Sequence, residues 1–353
     1  MRIIDREFNL LGEIDDYSSL ILGKNWHNIG SWELHLHEDT NYAECLQKEN
    51  IIFTAPNKAY IILYREMEST TGEMVIKGLD LKSYFKRWLV FPPEGQGYYR
   101  VNADTETIMK TYVTSTLARK GITNIVVAEN KNRGLKTVYQ SRYKNLAEEL
   151  ETLSLLSGLG WSISLDFDNK NFIFDVAEGR DVTTSQTVLP PAIFSADYDN
   201  VGEQVLTDSK IGYSNMAIVA GQGEGVDREI AIVGNGTGLD SFETFVDARD
   251  VELAEDLPAR GEQKLNETQE IFTFESEILT DRNLIYEEDF RLGDIVTVQN
   301  KKWNVTANRR ITELQEIYES TGFRLDVSFG ESAPTLVDKI KNEIKNINPE
   351  LTR

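Results

Sequence analysis

Residues 31–38, SWELHLHE, alternate between two faces, with Trp32, Leu34 and Leu36 on one and Glu33, His35 and His37 on the other. A period of two belongs to a half-buried strand and excludes a helix at that place. The same texture runs through the first ninety residues. IIFTAPNKAYIILYREME (51–68) predicts two strands around a Pro56-Asn57-Lys58 turn, and GEMVIKG (72–78) a third. DLKSYFKRWL (80–89) reads as a short helix that ends a barrel-like unit over residues 1–95.

From about residue 96 the pattern changes. Asp104 can cap a helix, TETIMKTYVTSTLA, in which Ile108, Tyr112 and Val113 fall on one side. NIVVAE (124–129) is a strand. Asn145, with Glu148 three residues on, opens a second helix striped by Leu146, Leu150 and Leu153, and Gly158 can end it. Trp161, Ile163, Leu165 and Phe167, then Phe172, Phe174 and Val176, read as the two arms of a hairpin. Residues 96–187 are therefore expected to be an α/β insert.

The Pro190-Pro191 pair suggests a linker into a second β-rich unit over 188–333. SNMAIVAG and REIAIVGN read as strands. A polar, helix-prone stretch follows near 250–268, where Pro258 bars one continuous helix. Ile311, Leu314 and Ile317 have helical spacing, but Phe323, Leu325, Val327 and Phe329 alternate, which favours a long hairpin turning near Ser320-Thr321-Gly322. In the last segment, 334–353, Val337, Ile340, Ile344 and Ile347 follow the 3-4-3 spacing of heptad core positions, which predicts an oligomer-forming helix. The fold class is α+β: two barrel-like antiparallel β domains, an inserted α/β domain and a C-terminal helix.

The chain has 353 residues and a net charge of −21, from 58 acids against 37 bases. Such a surface repels phosphate and anionic lipid, so tight nucleic-acid binding is not expected. No apolar run approaches the length of a membrane span, the opening residues lack a secretory signal, and the single cysteine, Cys45, excludes an internal disulfide.

GQGEGVDRE (221–229) has the composition of a phosphate cradle, with Gly221, Gly223, Gly225 and Arg228. Phosphate-binding glycines, however, follow a strand and open a helix, and here a strand-like run follows with no Gly-Lys-Ser or Gly-Lys-Thr. The loop is read as a wide hairpin connection that needs positive φ. His35 and His37 share a face, but a metal needs a third ligand and the one other histidine is His27. Asp166, Asp168, Asn169 and Asn171 resemble a calcium loop without its glycine and distal glutamate, so a turn is favoured. Glu287 and Glu288 in YEEDF are adjacent acids of the kind this composition produces by chance. No catalytic residue, metal or cofactor is expected.

MAIVAGQGEGVDRE (216–229), ETFVDARDVE (243–252) and FRLGDIVTVQNKKWNV (290–305), taken with the opening IIDREFNLLGEIDDYSSLILGKNW and WELHLH, resemble a family across nearly the whole chain. It is the baseplate hub, or N-terminal structural domain of the tail-associated lysin, of long-tailed phages and prophages of Gram-positive bacteria. The resemblance implies a fold similar to the hub of T-even baseplates, with two barrel-like domains resembling tail-tube units. It also implies a homotrimer that closes the tail tube and joins the distal tail protein to a tail tip or fibre. The location implied is the virion tail, assembled in the host bacterial cytoplasm, with DNA only passing through the lumen and no membrane insertion. Many members of the family continue into a peptidase, glycosidase or fibre, whereas this sequence stops at residue 353, so lytic or receptor-binding activity is expected elsewhere. The alternatives are a tail-tip hydrolase acting on cell-wall polymer and a carbohydrate-binding baseplate module. Trp32 and Trp161, on expected core faces, leave little for a sugar platform.

Overall fold

The computed structural model describes residues 1–279 and 282–330. The chain forms two compact units, Met1–Val205 with Glu275–Phe329, and Leu206–Phe274 with the chain from Gly330. Most of the ordered backbone is antiparallel sheet, with few helices. Val337, Ile340, Ile344 and Ile347 lie outside the described residues.

In the first unit, strand Ser31–His37 buries Trp32, Leu34 and Leu36, as its alternation requires. It lies between Ser19–Asn25 and Glu73–Asp80, and the sheet continues through Lys58–Met67 and Ile51–Ala55 to Arg2–Ile4. The two middle strands are apolar on both faces. Ile51, Phe53 and Ile61 enter one core, and Ile52, Tyr60 and Ile62 another. Continuous apolar runs of this kind mark strands covered on both sides. Strand Glu73–Asp80 approaches its neighbour closely at Gly78, where a Cβ would meet the Ile61 carbonyl at 1.8 Å. DLKSYFKRWL forms a 3₁₀ helix, Leu81–Arg87, whose first turn is capped by Asp80 accepting from the Lys82 N–H.

Helix Thr105–Lys120 is capped by Asp104, which accepts from Thr107 N, and helix Leu146–Ser157 is capped by Asn145 and ends at a left-handed Gly158. Hairpin Gly160–Asp166 and Asn171–Ala177 pairs with Ile125–Val127 in parallel. The boundary expected at 95 does not divide the packing. Phe8 stacks against Phe172 at 4.9 Å, and one core contains Ile61, Phe85, Ile108, Leu150 and Phe174. The second apolar face of the first sheet is what the α/β segment covers.

The expected long hairpin forms from Val305–Glu319 and Gly322–Gly330. Val305–Glu319 also pairs antiparallel with Ser19–Asn25, from Glu313↔Asn25 to Glu319↔Ser19. This long-range pairing joins residues 275–329 to the N-terminal strands, so the compact units differ from a division at 188.

The second unit holds strands Ile230–Gly234, Met216–Ala220 and Glu243–Asp247, in that order across the sheet. Helix Leu257–Glu267 packs on one face, where Ala217, Val219, Ala248, Val251 and Leu257 form the core. Pro258 lies in the first turn of this helix and starts it, because the N–H that proline lacks has no intrahelical partner there.

Candidate functional site

The loop 221–229 joins two antiparallel strands, Met216–Ala220 and Ile230–Gly234. Gly221 N–H donates to Glu229 O at 2.8 Å, and Glu229 N–H to Gln222 O at 3.0 Å. Gly223 (φ 95°) and Gly225 (φ 56°) are left-handed, and a Cβ on Gly223 would sit 2.6 Å from Asp227 O. Gly221 has no such backbone, and its α-carbon faces Leu257. Arg228, the one cation of the loop, is turned inward. Its guanidinium donates to Gly221 O at 3.0 Å, Ala220 O at 2.9 Å and Asp247 Oδ1 at 2.6 Å. No helix of any length follows, and Glu224, Asp227 and Glu229 would repel a phosphate.

A second arrangement, absent from the sequence reading, lies inside the first unit. A cavity of about 410 Å³ is lined by Lys24, Tyr60, Lys82, Trp161, Tyr286 and Glu287 among others. Beside it the fully buried Glu316 accepts from Tyr286 OH at 2.8 Å and Lys58 Nζ at 2.9 Å on one oxygen, and from Tyr318 OH at 2.9 Å on the other. Burial would raise the Glu316 pKa, but Lys24, Lys58 and the Tyr286 hydroxyl outweigh it and hold the carboxyl ionised. Lys24 Nζ lies 3.8 Å from both Glu316 and Glu287, and burial pushes its pKa down to about 8. Across the cavity, Lys82 Nζ donates to Asn25 O and Asn28 O at 2.7 Å and lies 4.6 Å from the Trp161 ring centre. Burial pushes Lys82 down to about 8 and Asp80 up to about 6.

Acid–base catalysis needs a carboxyl with an oxygen open to substrate. Both oxygens of Glu316 are occupied by protein donors, so the group works as a buried tie between strands Ser19–Asn25, Lys58–Met67 and Val305–Glu319. The signal for it was an acid, Glu316, on the same alternating face as Leu314. It is masked in sequence by the helical spacing of Ile311, Leu314 and Ile317.

The remaining sequence candidates have ordinary settings. His35 Nε2 is 2.7 Å from Glu33 and its Nδ1 3.3 Å from Glu73, while His37 stands near Asp39. Among the described residues no cluster of His, Cys, Asp and Glu is arranged to hold a metal. Asp166 accepts from Asn169 N–H and Nδ2 and closes the hairpin turn in which Lys170 is left-handed. Cys45 contacts Leu11 O at 3.6 Å, and burial with Glu44 pushes its thiol pKa up, away from nucleophilic use. His27, which the reading left without a role, is half-buried against Ser154, with Nδ1 2.7 Å from Oγ. Trp26, Trp32 and Trp161 are buried and donate their indole N–H groups to Gly158, Ile61 and His27 carbonyls.

With this geometry in view, known proteins give a consistent comparison. The family described as Siphovirus ReqiPepy6 Gp37-like protein matches residues 1–331. The fold is similar to the 43 kDa tail protein of prophage MuSo2 from Shewanella oneidensis, with a TM-score of 0.60 and 12% identity over 93% of this chain and 98% of that one. It is similar to prophage tail protein gp18 from Listeria monocytogenes EGD-e, with a TM-score of 0.58 and 11% identity over 98% of each chain. The tail protein from Neisseria meningitidis MC58 gives a TM-score of 0.55 and 14% identity, covering 90% of this chain and 93% of that one. At such identities the likeness speaks for the fold. No curated protein matches.

Proposed function

The chain belongs to the Siphovirus ReqiPepy6 Gp37-like protein family, and from that premise we propose that it is a non-enzymatic structural hub of a phage or prophage tail. The observation that carries the reading is the end-to-end fold match with a Listeria prophage tail protein, over 98% of both chains. On this reading three copies form a ring that closes the tail tube, each supplying two barrel-like, tube-related domains. The ring joins the distal tail protein above to a tip or fibre below, and the stripe Val337, Ile340, Ile344 and Ile347 helps gather the copies. The net charge of −21 suits a channel past which DNA slides without sticking. The engagement of both Glu316 oxygens and the burial of Trp26, Trp32 and Trp161 support a building part over a hydrolase or a sugar-binding module.

The test is the position and copy number of the chain in isolated tails, by electron microscopy of particles carrying a tagged version. Three copies at the distal end of the tube are expected. Tails that lack the chain, or carry it along their length, overturn the proposal.

A further inference from the structure

The three-stranded sheet of the second unit has helix Leu257–Glu267 on one face only. On the other face the register aligns Ile232, Ile218 and Phe245 in a row across all three strands. Ile230 and Met216 extend this row on either side. Ile232 is 67% exposed, Ile230 53% and Phe245 37%, so the centre of the face is apolar and open to solvent. The loops at the two ends of the sheet carry Val226 and Leu239 at their tips, both fully exposed. Apolar side chains grouped on one face in this way are the mark of an interaction surface.

The charges around the face are of one sign. Residues 206–274 hold fourteen acids and five bases, a net charge of −9. All five bases are paired within the unit: Lys210 with Glu270, Arg228 and Arg249 with Asp247, Arg260 with Asp250, and Lys264 with Glu267. Glu243 shares the apolar face, and Glu224, Asp227, Glu229 and Asp240 belong to its end loops. A second copy of the same face would bring two acidic rims together, which costs association energy, and nucleic acid and anionic lipid are repelled for the same reason. The complement is an apolar ridge flanked by cations.

We propose that the Ile232–Ile218–Phe245 face docks a different, neighbouring tail protein through an apolar ridge bordered by lysines or arginines. The inference rests on the reading of the chain as a tail component.

A photoreactive benzoylphenylalanine at position 232 tests it in assembled tails, with adducts identified by mass spectrometry. The expected result is a cross-link to a second tail protein, at a peptide whose apolar residues neighbour Lys or Arg. Ile232→Asp should also lower incorporation into tails at least ten-fold, while Ile232→Val stays within two-fold. Adducts only to another copy of this chain, or none although the chain is present in tails, overturn the docking proposal and leave the structural-hub reading standing. Absence of the unsubstituted chain from tails overturns both.

Discussion

Arg228 Nη2 lies 2.6 Å from Asp247 Oδ1, so the last strand of the second unit's sheet is tied to the loop joining the other two. The same guanidinium holds the carbonyls of Ala220 and Gly221. Removing it leaves those acceptors and a partly buried carboxylate without their donor, a cost of about 2 kcal/mol. Arg228→Ala should therefore speed exchange of the Gly221 and Ala248 amides roughly thirty-fold, the factor equivalent to that energy. Protection unchanged from the parent would show that the strands hold the loop unaided.

Gly223→Val should destabilise by about 2 kcal/mol or more, because a branched side chain must adopt φ near 95° while its Cβ meets Asp227 O. Gly225→Ala has open space and only the left-handed backbone against it, so about 1 kcal/mol is expected. Thermal melts give the order. A nucleotide titration of the parent protein should show no saturable binding; micromolar binding lost in Gly223→Val would restore the phosphate-cradle reading.

Glu316→Gln should be the costliest single change in the first unit, about 3 kcal/mol. The amide keeps the shape but leaves Lys58 and Lys24 facing no buried anion and asks Tyr286 and Tyr318 to share one acceptor oxygen. Urea unfolding measures it. A loss below about 0.5 kcal/mol would mean that water replaces the carboxylate without cost.

Acid should act through two opposed groups. Ser154 Oγ donates to Leu159 O, so His27 Nδ1 carries the proton of their shared hydrogen bond and the ring is neutral. Burial, with Arg310 and Lys82 nearby, pushes its pKa down to about 3. The unfolded chain then binds a proton between pH 6.5 and 3 that the folded chain refuses, so this group removes stability as pH falls, by at most about 1.4 kcal/mol per pH unit. Asp80, pushed up to about 6 by burial, binds its proton first in the folded state and adds stability as pH falls from 6 to 3.8. His27→Gln should make stability rise on going from pH 6 to 4.5 relative to the parent, and Asp80→Asn should steepen the fall. Parallel pH profiles for all three proteins would remove both assignments.

Deleting residues 335–353 removes the stripe Val337, Ile340, Ile344 and Ile347. Two heptads are too short to hold copies together alone, but a trimeric body would raise their local concentration. The truncated chain should show a weakened trimer by solution mass, or lose its distal partner in tails. Normal assembly with the partner attached would reduce the stripe to a surface element.

Local features were the legible ones. Asp104, Asn145 and Gly158 act through hydrogen bonds or backbone states decided within four residues, and each stands where its type predicts. The hairpin ending at Gly330 was readable from alternation that outlasts the helical spacing of Ile311, Leu314 and Ile317. Which edges meet was not readable. Nothing near Ser19–Asn25 names Val305–Glu319 as its partner, because backbone hydrogen bonds carry no address. The Lys24, Lys58 and Glu316 cluster was hidden for the same reason, since each charge looks misplaced until the three strands are assembled.

The pairing of Ser19–Asn25 with Val305–Glu319 also sets a timetable. Asn25 Nδ2 donates to Glu313 across 288 residues of sequence. At roughly 5–20 residues per second, a ribosome needs on the order of 15–60 s to bridge that interval. Throughout it, the edge of Ser19–Asn25 opposite Ser31–His37 stands open, beside an already formed apolar surface. Newly made chains in the same cell present the same open edge to one another. The dangerous moment for this protein is therefore during its synthesis, and slow translation or a premature stop before residue 319 should drive it into aggregates even where every finished molecule is stable.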